Sequence, residues 1–167
     1  MLGVEESRPL FGKEQHDIRD GIFLDAPSEM DTMLADYQAL SLTTGRHPLA
    51  LLRHQQPFHS ACSAAMLKKA RHGQLARVAG LITNRQRPGS ASGVMFVTLE
   101  DETGNSNVLV WQSVQKKYRR ELLGSSLVLV TGTVERSPEG IVHLMAGRIE
   151  DYQAALQQLT VQSRDFH

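Results

Sequence analysis

The stretch that decides the fold is "RQRPGSASGVMFVTLEDETG", residues 85–104. It begins as a basic, glycine-rich loop, continues as an apolar segment and ends in three consecutive acids. Successive side chains of a β-strand point to opposite faces. One face of this segment would be uniformly aliphatic, which predicts that it faces a core, and the other would carry Phe96 and Thr98. The predicted core residues are Met95, Val97 and Leu99.

Four more segments have the composition and period of strands. They are "LARVAGLITNRQ" at 75–86, "NVLVW" at 107–111, "SLVLVTGTVER" at 126–136 and "GIVHLMAGRIE" at 140–150. Gly80 interrupts the first of them and predicts a bend or bulge. We expect a turn at "GNSN", 104–107, and a helix at "SVQKKYRRELL", 113–123, capped by Ser113 and ended by Gly124. Five strands with a helix between the third and fourth predict an α+β fold built on a five-stranded OB-fold barrel.

The flanking sequence divides the chain into four regions. Residues 1–26 have no sustained apolar period and are interpreted as a flexible tail or the remnant of a preceding domain. A small helical segment is predicted at 27–73, with one helix near 27–40 and a shorter helix that begins at Pro48. The OB-fold domain is expected at 74–150, followed by a C-terminal helix and tail at 151–167.

Charge is distributed unevenly although the chain is neutral overall. Residues 41–99 contain eight bases and no acid, a one-signed field that can attract phosphates. A solvated basic face without a partner is the alternative interpretation. There is no apolar run of the about 18 residues needed to span a bilayer, and no export signal. Cys62 is the single cysteine, which fits a reducing cytoplasm.

In an OB-fold, ligands lie across strands 2 and 3, between the loops that join strands 1–2 and 4–5. Here those loops are expected at 84–93 and 135–140, and the outer face of strands 2 and 3 carries two aromatic residues. Arg85 and Arg87 of the first loop are expected to face outward beside Phe96. Bases stack on exposed rings at about 1–3 kcal/mol each, while nearby cations meet phosphates. Alternatively, the rings of Phe96 and Trp111 are covered by the helical segment or by another domain. The candidate nucleic-acid-binding residues are Arg77, Arg85, Arg87, Phe96, Thr98, Asn107, Trp111 and Arg136.

Other chemistry has weaker support in the sequence. The acids at 100–102 could be metal ligands, but we interpret them as a structural turn. The histidines and Cys62 match no closed zinc-site spacing, and there is no nucleophile or phosphate-loop motif. We therefore expect no catalytic site, metal or cofactor in this chain. Four cations of the predicted helix are either phosphate contacts or a solvated face; they are Lys116, Lys117, Arg119 and Arg120.

Several of these motifs resemble one family closely. "VAGLIT", "RQRPG", "GVMFVTLEDETG" and "NVLVW" resemble the OB module of bacterial error-prone DNA polymerases, a branch of the DNA polymerase III alpha-subunit family. "DYQALSLTTGRHPLALLR" at 36–53 and "SRDFH" at 163–167 are similar to the segment before that module and to the family's tail. The resemblance covers about 28–167. A weaker one links strands 1–3 to anticodon-binding OB modules, where the position of Phe96 stacks on a base.

The resemblance implies a function and its alternative. The family polymerises DNA with two magnesium ions held by palm-domain carboxylates, and 167 residues cannot contain that palm. We therefore expect a non-catalytic C-terminal piece, either a cloned fragment or a natural truncation. It would bind single-stranded template DNA for a damage-induced, translesion polymerase in the cytoplasm. The alternative is a protein-docking module for accessory mutagenesis proteins, among them a RecA-like partner, or for the sliding clamp.

Overall fold

A computed structural model describes residues 45–90 and 92–165. Within these residues five strands close into a barrel in the order β1-β2-β3-β5-β4. All neighbouring strands are antiparallel except β3 and β5, which are parallel. The predicted OB-fold barrel is therefore confirmed. The strands are β1 (Leu75–Gln86), β2 (Met95–Asp101), β3 (Gly104–Val110), β4 (Leu127–Arg136) and β5 (Val142–Asp151).

Short helices surround the barrel. They are α1 (Pro48–Leu52), a 3-10 turn (Phe58–Ser60), α2 (Ala64–Leu67), α3 (Gln112–Lys117), α4 (Arg119–Gly124) and α5 (Gln153–Arg164). The predicted tail at 1–26 and the predicted helix near 27–40 lie outside the described residues. No helix in the described part of the chain is long and apolar enough to cross a membrane.

Two local predictions were wrong. The expected helix at 113–123 is two helices, because Tyr118 leaves helical geometry at φ −113° and ψ 34°. The first of them begins at Gln112, so Ser113 lies inside it and does not cap it. The segment "GNSN" belongs to β3 rather than to a turn, and the chain reverses just before Gly104.

The barrel core has the predicted alternation. Met95, Val97 and Leu99 are buried, whereas Phe96 and Thr98 are only partly buried. At Gly80, where β1 passes from β4 to β2, a Cβ atom would lie 2.6 Å from the Cβ of Leu99. The glycine therefore permits a close approach of two strands, and the irregularity in register occurs further on, between Ile82 and Asn84.

A second apolar core lies outside the barrel, against β1 and β4. The outward side chains of these strands pair as Ala79 with Leu129 and Leu81 with Leu127. They are covered by Leu49, Leu52 and Phe58 from the helical segment before the barrel and by Leu156 of α5, all at most 1% exposed. Strands β1 and β4 are thus buried on both faces over this stretch.

The acidic turn after β2 attaches the helical segment to the barrel. Asp101 is 4% exposed, and its Oδ2 accepts hydrogen bonds from the backbone N–H of Ala64 at 2.6 Å and from Arg53 Nη2 at 3.1 Å. Glu102 Oε1 accepts a second hydrogen bond from the same arginine, from Nε at 2.6 Å. Glu100 Oε1 lies 3.4 Å from the buried Nε2 of His47, without hydrogen-bond geometry.

Candidate nucleic-acid interface

The outer surface of β2 and its neighbours is continuous across four strands. Phe96 pairs with Gln86 of β1 and Leu109 of β3, and Leu109 pairs with Met145 of β5. A second row lies two residues away along each strand and consists of Asn84, Thr98, Asn107 and His143. We call the two rows together the open face; its residues are Asn84, Gln86, Phe96, Thr98, Asn107, Leu109, His143 and Met145.

The open face lies outside both cores. Among the described residues, Phe96, Leu109 and Met145 are partly buried but pack against neither apolar cluster. The described helices that form the second core lie against β1 and β4. The described part of the helical segment, 45–73, therefore packs its buried apolar residues into the two cores and not over Phe96.

The polar residues of this face present unused hydrogen-bonding groups. Asn84 and Asn107 are exposed and flank Thr98 in the second row. Within the described part of the chain, neither amide side chain has a hydrogen-bond partner. An amide offers both a donor and an acceptor, the combination that base edges present. The open face therefore combines an aromatic ring with two free amides.

Trp111 stands at the end of β3 next to this face. It directly precedes α3 and is 47% exposed. Residues two apart on a strand point to the same face, so Trp111 follows the outward direction of Leu109. Its indole is thus accessible at the end of the open face.

Three predicted arginines have structural partners elsewhere. Arg85 pairs with the inward-facing Val97, and its Nε donates to the carbonyl of Leu122 at 2.7 Å and its Nη2 to that of Ser125 at 3.2 Å. These carbonyls belong to the C-terminal end of α4, where helix carbonyls lack partners within the helix. The prediction that Arg85 faces outward beside Phe96 was therefore wrong, because the register irregularity in β1 shifts its side chain inward.

Arg136 has a similar structural role at another strand end. Its Nη2 donates to the carbonyls of Lys68 at 2.8 Å and Ala70 at 3.2 Å, which follow α2. Arg77 lies in the part of β1 that pairs with β4, and its Nη1 donates to Ser60 Oγ at 3.4 Å. The structure does not bring Arg77 to the open face.

Arg87 directly follows the end of β1, and its side chain is held by a residue that the sequence did not indicate. Its Nη2 donates to Gln115 Oε1 at 2.6 Å. Gln115 is 7% exposed, and its Nε2 donates to the carbonyls of Gly93 and Val110, both at 2.7 Å. One buried amide thus ties the loop between β1 and β2 to α3 and to the end of β3. No sequence pattern distinguishes this glutamine from an exposed one on a short helix.

The acids at 100–102 do not form a metal site in the described residues. The oxygens of Asp101 already accept hydrogen bonds from Arg53, Ala64 and Thr103. Within 45–90 and 92–165, no three His, Cys, Asp or Glu side chains group closely enough to hold a metal ion.

Comparisons with known proteins relate this chain to a family model and to several relatives. Residues 76–152 match the family model described as an OB-fold nucleic acid binding domain. The error-prone DNA polymerase of Alkalilimnicola ehrlichii is 48% identical over 167 residues, 100% of this chain and 16% of that protein. The error-prone DNA polymerase of Idiomarina loihiensis is 45% identical over 163 residues, 98% of this chain and 15% of that protein. A solved asparaginyl-tRNA synthetase from Pyrococcus horikoshii is similar at a TM-score of 0.48 and 20% identity, covering 56% of this chain and 23% of that one.

The predicted resemblance to error-prone DNA polymerases is therefore confirmed. The similarity runs over the full chain and corresponds to the C-terminal region of those polymerases. The chain spans only 16% of the length of the first of these relatives.

Proposed function

Because this chain corresponds to a segment of an error-prone DNA polymerase, we propose that it binds single-stranded DNA across the open face. The observation that carries the proposal is the position of Phe96. Its ring lies on the outside of β2, apart from both cores, in the row next to the exposed amides of Asn84 and Asn107. The match of residues 76–152 to a nucleic acid binding domain supports the same conclusion.

Each group on this face has a definite task in the proposal. Phe96 stacks on a base, which is worth about 1–3 kcal/mol and tolerates any sequence because every base has a π-face. Asn107 hydrogen-bonds a base edge or a sugar, and Thr98 lies beside it in the same row. Arg87 contacts a phosphate at the end of the face. Leu109 and Met145 extend the apolar surface on which a second base rests.

Within a longer polymerase, the chain supplies binding and not chemistry. It holds the single-stranded template as that strand approaches an active site formed elsewhere. Nucleotide transfer and the magnesium ions that support it belong to that other part of the protein. The chain alone should therefore show no template-directed incorporation of nucleotides, and incorporation would contradict this division of labour.

Fluorescence anisotropy of a labelled single-stranded oligonucleotide tests the proposal on the 167-residue chain. Phe96→Leu keeps an apolar side chain on the strand but removes the ring, so we expect affinity to fall about 5- to 150-fold, the equivalent of about 1–3 kcal/mol. Val161→Ala is the matched control, because Val161 is 60% exposed on α5, away from this face.

Two results would overturn the proposal. One is the absence of oligonucleotide binding by the unaltered chain in low salt. The other is equal affinity of the Phe96→Leu and Val161→Ala variants. Either result would favour the protein-docking alternative, in which the same outer apolar residues contact an accessory protein.

A further inference from the structure

A cleft opens between the β1–β2 loop and the helices that follow β3. It has a volume of about 190 Å³. Its cationic side chains come from both walls, with Arg87 from the loop and Lys116 and Arg119 from α3 and α4. Its apolar lining comes from Met95, Leu122 and Leu123. It differs from the open face, since Met95 points inward where Phe96 points outward.

The charges around this cleft are not balanced within the described residues. No carboxylate lines it, and the Arg87 guanidinium donates a hydrogen bond to the neutral amide of Gln115. Neither Lys116 nor Arg119 has a carboxylate partner in the part of the chain that the structure describes. Three like charges around one cavity repel one another and favour an anion between them.

Of the four cations on α3 and α4, two point into the cleft and two do not. Lys116 and Arg119 are three residues apart, and both line the cleft. Lys117 and Arg120 do not line it; the Lys117 ammonium lies 5.2 Å from the centroid of the Tyr118 ring. Two of the four cations that the sequence indicated therefore lie at the cleft, and two lie away from it.

We propose that this cleft takes one nucleotide of the bound strand. The three cations hold its phosphate, and its base rests on the apolar lining. This inference rests on the proposed function, because Met95 and Phe96 are consecutive residues and their Cα atoms are about 3.8 Å apart. A strand stacked on Phe96 therefore reaches the mouth of the cleft at the end of β2. Gln115 is a positioning residue here, since it orients Arg87 and fixes the loop wall.

The test compares two double variants of equal net charge. Lys116→Gln with Arg119→Gln removes the two helical cations of the cleft, and Lys117→Gln with Arg120→Gln removes their neighbours. Binding of a labelled oligonucleotide is measured over a range of salt concentrations. For single strands, each lost phosphate contact lowers the slope of log K against log salt by about 0.7. We expect the first variant to lose up to about 0.7 in slope, because its two cations share one phosphate with Arg87, and the second to retain the slope of the unaltered chain.

The apolar lining is tested separately. Leu123 is 46% exposed, so Leu123→Ala is compatible with folding. It should weaken binding of a normal oligonucleotide without changing the salt slope, and leave binding of an abasic strand unaffected. Equal salt slopes for the two double variants would overturn the proposed site. If Phe96→Leu still weakened binding in that case, the open-face function would stand and only the cleft would be rejected.

Discussion

Asp101→Asn perturbs the attachment of the helical segment to the barrel while conserving side-chain volume. Oδ2 accepts hydrogen bonds from Ala64 N and Arg53 Nη2, and Oδ1 accepts from the backbone N–H and the hydroxyl of Thr103. An amide replaces one of these oxygens by a donor. Two of the four hydrogen bonds are lost, and two donors then face each other at a residue that is 4% exposed.

The magnitude follows from burial and charge. A hydrogen bond to a charged group is worth about 1.5–3 kcal/mol, and breaking a buried ion pair costs about 3–5 kcal/mol. Arg53 keeps hydrogen bonds to Glu102 and to the carbonyls of Phe58 and Ala61, which offsets part of the loss. We therefore expect the free energy of unfolding to fall by about 3 kcal/mol, a large share of the about 5–15 kcal/mol typical of a domain.

Equilibrium urea unfolding followed by circular dichroism measures this change. The matched control is Glu150→Gln, which alters an ion pair with Arg148 whose side chains are 28% and 65% exposed. Such surface pairs contribute about 0–1 kcal/mol. Destabilisation by Asp101→Asn that does not exceed the control would show that the acidic turn does not hold the helical segment in place.

Three further predictions concern the barrel, the second core and the interface. Gly132→Ala should strongly destabilise the folded barrel, because a Cβ atom there would overlap the facing backbone carbonyl of β5. At Gly147 a Cβ atom would make only an ordinary 3.6 Å contact, so Gly147→Ala should have a much smaller effect; thermal unfolding of both variants checks this. Leu156→Ala should cost about 2–5 kcal/mol in urea unfolding, because Leu156 is fully buried in the second core, and a cost as small as that of Val161→Ala would contradict its role. Oligonucleotide binding should change the emission of Trp111, the single tryptophan, and binding without any change would place the strand away from the end of β3.

The barrel was predictable because local pattern and tertiary environment agree there. In β2, aliphatic and other residues alternate strictly, and the structure buries every second residue as expected. The sequence alone did not reveal which strand side chains bind the carbonyl groups at the ends of the helices. Arg85 looked like a free loop cation, yet the register irregularity in β1 turns it toward the carbonyls of α4. That outcome depends on contacts between residues about forty positions apart.

Part of the candidate site was equally hidden. Phe96 could be assigned to the outer face from alternation alone, and the structure places it there. Gln115 could not be recognised, because its three hydrogen bonds join segments that meet only in the folded chain. The break of the helix at Tyr118 was equally hidden, because no glycine or proline announces it.

The two-sided burial of β1 and β4 has a consequence for how this module can evolve. Stability is concentrated in that half of the barrel, where helices cover the outer side chains. The outer residues of β2 and β3 contribute to neither core, so they can be exchanged with little effect on folding. Residues such as Phe96 and Asn107 are therefore free of packing constraints, while Leu81 and Leu127 remain constrained by the second core.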